Sequence, residues 1–179
     1  MKRLFLSSAC LILVLLAIGC GTKVVTTSTP SEPVTSNATA TDITNDSVGS
    51  GLVAYKGIEF TVPTGFEAGV GPTQFQGHDE ILVVKQGSTI ASGNAVVIMW
   101  PGDTSGDSQG GYPEWQKVAE TEVAGHTMVK WVTSGGQGSP VFVLLNTPVG
   151  NLKATGQATM AAMKPNEVAE SIINSVKIP

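Results

Sequence analysis

With 179 residues, fourteen acidic side chains against ten basic ones and a formal net charge of −4, the chain lacks the basic footprint of nucleic-acid binding, and nucleic acid is excluded as a partner. Two cysteines and two histidines are too few for a disulfide-dense scaffold or for a closed zinc site without unusual carboxylate help. No cofactor is expected.

The chain opens on Lys2 and Arg3, followed by an uninterrupted apolar run from Ala9 to Ile18. That run is too short to span a bilayer, which needs about 20 apolar residues in a helix. A basic start, a short apolar run and small residues before a cut describe a secretory signal. Its end, Leu16-Ala17-Ile18-Gly19-Cys20, resembles the bacterial lipobox. The resemblance implies that residues 1–19 are a lipoprotein signal peptide and that Cys20 receives a diacylglyceryl thioether and becomes the new N-terminus. Membrane lipid is then a partner through the acylated Cys20. Two acyl chains hold a protein stably, since each buried methylene contributes about 0.8 kcal/mol and one chain alone is marginal. The expected location is extracytoplasmic, lipid-anchored to the cell membrane or outer membrane. Loss of residues 1–19 leaves eight lysines, no arginine and fourteen acidic residues, a side-chain charge of −6. Cys20 is then the sole cysteine, so no intramolecular disulfide can form and the fold must rest on its core.

From Gly21 to about Gly51 the composition shifts to Thr, Ser, Asn and Pro without an aromatic residue. Such a segment buries too little apolar surface to offset its ordering entropy, so residues 20–51 read as a lipidated, disordered tether. Asn37-Ala38-Thr39 and Asn45-Asp46-Ser47 match the glycosylation sequon, but beside a bacterial lipobox they carry no role. Residues 52–179 remain for the globular domain, a common single-domain length.

Within that domain Ile58, Phe60 and Val62 alternate with Glu59 and Thr61, a strand with one buried face closed by a turn at Pro63-Thr64-Gly65. Ile81–Val84, Ala95–Met99 and Val141–Leu145 are continuous apolar runs, the pattern of central strands covered on both faces. Thr127 to Thr133 forms another strand, with Val129 and Trp131 on one face and Met128 and Lys130 on the other. Pro113 to Ala119 reads as a short helix. After Pro165, suited to a first helical position, Val168, Ala169, Ile172, Ile173 and Val176 follow a helical stripe. The expected fold is α+β, an antiparallel sheet of about five to six strands flanked by a few helices, with a β-sandwich as the alternative.

The segment Tyr55-Lys56-Gly57-Ile58-Glu59-Phe60-Thr61-Val62-Pro63-Thr64-Gly65-Phe66 resembles the opening strand and turn of the PsbP/Mog1-like families, and Val168 to Ile178 is similar to their closing helix, with Val176 in place of the usual aromatic. The resemblance implies an antiparallel sheet flanked by helices and an accessory or partner-binding role rather than catalysis. It carries over no functional residue.

Chemistry-bearing residues concentrate between Pro101 and Trp115. Gly106-Asp107-Ser108-Gln109-Gly110-Gly111 resembles the nucleophile loop of trypsin-like proteases with Gln109 interposed, but the domain is too short for two barrels and neither His78 nor His126 has the family's surroundings. A hydrolase using Ser108 stays as an alternative. Asp103 and Asp107, with Glu114 twelfth from Asp103, are weak oxygen ligands for Ca²⁺; the EF-hand pattern and its helices are missing. His78-Asp79-Glu80 and His126 could serve a transition metal, although solvated loop and strand-edge positions account for them better. Tyr112 and Trp115 are the large residues best placed for a recognition surface. The functional expectation is non-covalent recognition by an accessory or assembly protein of the cell envelope, with an envelope protein as partner. A small-ligand or Ca²⁺-binding protein is the alternative.

Overall fold

The computed structural model describes residues 39–75, 77–102, 115–133 and 138–179. Eleven strands and one α-helix follow in chain order: β1 (Thr41–Asp42), β2 (Val48–Gly49), β3 (Gly51–Tyr55), β4 (Ile58–Val62), β5 (Phe66–Phe75), β6 (His78–Lys85), β7 (Ala95–Pro101), β8 (Trp115–Val123), β9 (His126–Thr133), β10 (Val141–Thr147), β11 (Gly150–Gly156) and α1 (Pro165–Asn174). Eight of them make one sheet in the order β2-β5-β6-β7-β11-β10-β9-β8, antiparallel at every pairing. The other three make a small sheet in the order β1-β3-β4, in which β1 runs parallel to β3. The large sheet is two meanders, β5-β6-β7 and β8-β9-β10-β11, joined where β11 pairs with β7.

Strand phase decides which face each side chain joins. Ile81, Val83, Met99, Phe142, Leu144, Leu152 and Ala154 point to one face and are fully buried, against Val53, Phe60 and Val62 of the small sheet and Ile172 and Ile173 of α1. Each such side chain contributes about 1.5–3 kcal/mol of transfer free energy. The alternate residues Leu82, Ala95 and Ile98 form a second, smaller cluster with Ile90 and Trp100 on the opposite face. This division explains why β6 and β7 read as unbroken apolar runs. Lys130 ties α1 to the sheet, with Nζ 3.2 Å from Glu170 Oε2 and 5.1 Å from the Phe142 ring centroid.

The α+β expectation with five to six strands and flanking helices is overturned. The domain is mostly β, and α1 is the one α-helix among the described residues, beside short 3-10 turns at Ser92–Asn94 and Ala158–Met163. The extra strands lack the usual signals. In β5, Gly71 stands where an added Cβ would lie 3.0 Å from Leu82 Cδ1, so packing on the neighbouring strand removes the apolar alternation that marks a strand. The helix expected over Pro113–Ala119 is also overturned from Trp115 onward. Those residues belong to β8, which is joined to β9 by Ala124 and Gly125 at φ 52° and 78°. This two-residue turn suits the twist of a hairpin, and pairing with β9 overrides a weak local helical preference.

The described domain starts upstream of Leu52. Ile43 is 3% exposed and its N–H donates to Ala54 O at 3.0 Å, so residues whose composition groups them with the tether pack on the small sheet. Among the described residues, no helix is long and apolar enough to cross a membrane.

Candidate functional site

Two turns bring the site together. The β3–β4 hairpin closes on Lys56 and Gly57, both with positive φ (44° and 89°), the geometry of the tight turns that favour glycine at the second position. Tyr55 and Lys56 therefore sit at the hairpin tip. The β5–β6 hairpin turns at Gly77, φ 80°, and β6 then begins with His78 and Asp79. Asp79 is in phase with Ile81 and Val83, so its side chain points toward the small sheet and meets the hairpin tip.

Three donors converge on the Asp79 carboxylate. The Tyr55 hydroxyl donates to Oδ2 at 2.5 Å, Lys56 Nζ donates to Oδ2 at 2.9 Å, and Gln74 Nε2 donates to Oδ1 at 3.1 Å. The hydrogen bonds from Tyr55 and then Lys56 hold the Asp79 carboxyl down at about 2, against the opposing effect of burial. The Asp79 bond in turn raises Lys56 above its ordinary range. Burial, followed by the Asp79 bond, pushes the Tyr55 hydroxyl up. The partners are unequally placed: the Asp79 side chain is 20% exposed and that of Lys56 66%.

Beside this cluster lies a cavity of about 270 Å³, walled by His78 and Gln74 on one side and by Pro101, Gly102, Pro148 and Val149 on the other. Its wall depends on close backbone approach. A Cβ at Gly102 would lie 2.8 Å from His78 Nδ1, and one at Gly150 would lie 3.0 Å from Gly102 Cα. Two larger spaces also border Asp79. One, of about 590 Å³, runs along Val70, Gly71 and Pro72 of β5. The other, of about 710 Å³, lies between the Asp42–Asp46 turn and Tyr55, Lys56 and Gly57. Asp79 is the residue common to all three, Tyr55 and Lys56 are shared by the first and the last, and Asn45 and Val70 by the two larger ones, so the spaces adjoin along a groove in the surface with the Asp79 side chain between them.

A carboxylate held by three donors, with its pKa lowered to about 2, is poorly matched to proton transfer near neutrality; it is suited to fixing a charge in place. The sequence trio His78-Asp79-Glu80 is split by strand alternation. Glu80 turns to the opposite face, where Oε1 accepts from Trp100 Nε1 at 3.0 Å. His126 sits elsewhere, with Nδ1 3.1 Å from Leu145 O. Among the described residues, no three His, Cys, Asp or Glu side chains are grouped to hold a metal ion.

Cys20, Asp103, Asp107, Ser108, Tyr112 and Glu114 lie outside the described residues. Trp115, half-buried, opens β8 opposite Thr133. The registers place Pro101 in line with Leu152, Leu144, Met128 and Thr121. Trp115 is four strands away and about five residue rises further along, roughly 19 Å across and 17 Å down the sheet. The two described ends of the segment singled out in the sequence therefore belong to different places: Pro101-Gly102 borders the groove, and Trp115 lies away from it. Tyr55, Lys56 and Gln74 escaped sequence reasoning. The alternating strands around Lys56-Gly57 announce a hairpin, but nothing local says that its tip meets Asp79. No protein-family model, no curated protein and no solved structure matches this chain.

Proposed function

We propose that this chain is a lipid-anchored extracytoplasmic protein whose β domain works by non-covalent recognition, as an accessory or assembly protein of the cell envelope. The groove around Asp79 is the recognition surface. The observation that carries this reading is the Asp79 carboxylate, pre-oriented by Tyr55 and Gln74 where three open spaces adjoin. Binding sites gain affinity from groups held in place before the ligand arrives. The lipobox resemblance at Cys20 supports the location, and residues 21–38, between it and the described domain, supply a tether with a contour of roughly 60 Å, long enough for the groove to reach neighbouring envelope proteins.

The test is cross-linking of the full lipidated chain in its own cells, followed by purification and mass spectrometry. Residues 1–38 alone serve as the control for membrane neighbours. The expected result is an envelope protein captured by the full chain and lost in Gln74→Trp, which fills the mouth of the groove. A partner retained by Gln74→Trp would remove the groove as the surface. A capture list identical to that of the control would remove the accessory role.

A further inference from the structure

We infer that the groove takes an alkylammonium or guanidinium group, carried on an extended ligand, which replaces Lys56 on the Asp79 carboxylate. This inference rests on the recognition reading and adds the chemical class of what is recognised. Lys56 is the chain's own occupant of the position, and it is built to leave. Its side chain is 66% exposed while that of Asp79 is 20% exposed, and an ion pair with so exposed a partner contributes little, about 0–1 kcal/mol. Asp79 does not need Lys56 to stay in place, because Tyr55 holds Oδ2 from the small sheet and Gln74 holds Oδ1 from β5. Withdrawal of Lys56 therefore leaves a carboxylate fixed by two donors and facing open space, and a cation that reaches it makes a charge-assisted hydrogen bond to an acceptor already in place.

The space argues for a ligand longer than a simple ion. Beyond Asp79 the groove continues as the 590 Å³ and 710 Å³ spaces, which suit a chain several residues long. Asp42 and Asp46 border the larger of them and make no ion pair among the described residues, so a second cationic group would find attraction one or two residues along. The side-chain charge of −6 on the chain beyond residue 19 steers cations toward it. The occupant is a lysine- or arginine-bearing peptide segment of the recognised protein; a free polyamine shares its chemistry and is the rival that the test separates from it.

The experiment is calorimetric titration of the lipid-free mature chain at low salt with two probes, N-acetyl-tetralysine amide and spermidine. Wild type, Lys56→Gln and Asp79→Asn are compared. Lys56→Gln removes an exposed side chain and leaves the fold intact, so it carries the test on its own. The expected result is about two- to fivefold tighter binding by Lys56→Gln, the loss of a competitor of up to roughly 1 kcal/mol, and loss of binding in Asp79→Asn. Tighter binding of the peptide alone assigns the segment; tighter binding of both probes assigns the free polyamine as sufficient. Unchanged affinity in Lys56→Gln for both probes overturns the inference. If an envelope partner is still lost in Gln74→Trp but captured equally by Lys56→Gln and Asp79→Asn, recognition by the groove stands and the cation does not.

Discussion

Two ion pairs, one bridging the small and large sheets and one on the β8 edge, have the same length and different consequences. Lys56 Nζ lies 2.9 Å from Asp79 Oδ2, and Lys117 Nζ lies 2.9 Å from Glu120 Oε2. On the β8 edge both partners are about half exposed, 52% and 54%, and the β-bulge between Lys117 and Ala119 merely turns both side chains to the same face. Charged side chains and a bulge on an edge strand discourage pairing with other chains. Around Asp79 the carboxylate is largely shielded and has two further donors. Distance alone therefore does not identify a functional charge; shielding and the number of independent supports do.

The largest difference should come from removing each carboxylate. Asp79→Ala strands the part-buried Tyr55 hydroxyl and should cost about 1–3 kcal/mol in urea unfolding, whereas Glu120→Ala should stay within about 0.5 kcal/mol. Equal losses would erase the distinction. Acid comes next. A carboxyl held at about 2 when folded and at the usual 3.8 when unfolded contributes stability above pH 4 that disappears as pH falls toward 2. Wild type should lose about 1–2 kcal/mol more than Asp79→Asn across that window, after allowance for screening. At the alkaline end both raised groups act in one direction. Tyr55 favours its neutral form and Lys56 its charged form in the folded state, so stability should decline as pH rises above about 10, where the unfolded side chains begin to lose protons. Tyr55→Phe should cost about 1 kcal/mol and move the Asp79 carboxyl upward toward 3.8, followed by carboxyl-resolved NMR. Lys117→Ala should be the smallest, at or below about 0.5 kcal/mol.

The strands that pack apolar side chains on both faces, β6, β7 and β10, are legible in the sequence, as are the alternating β4 and the stripe of α1. Each buries enough apolar surface for its period to show. β5 and β11 are not legible because glycines stand where other parts of the chain approach closely, Leu82 at Gly71, Gly102 at Gly150 and the start of α1 at Gly156, and β8 because its exposed edge lacks the apolar alternation of a strand. The site is less legible still. Asp79 is visible only as part of a histidine-acid run, and its partners come from hairpins whose meeting depends on strand phase and on a backbone approach at Gly102. The residues that drew attention for their chemistry, from Asp103 to Tyr112, sit in a sequence pattern that advertises itself without showing what it touches.

The most direct test of the groove as the recognition surface compares the two regions in one experiment. A photo-reactive benzoylphenylalanine is placed at Asn45, an exposed residue bordering the two larger spaces, or at Val118, 52% exposed on the β8 edge, in the full lipidated chain in its own cells. Recognition through the Asp79 groove predicts a discrete adduct from position 45 and none from position 118. An adduct from position 118 alone, or equal adducts from both, would contradict it.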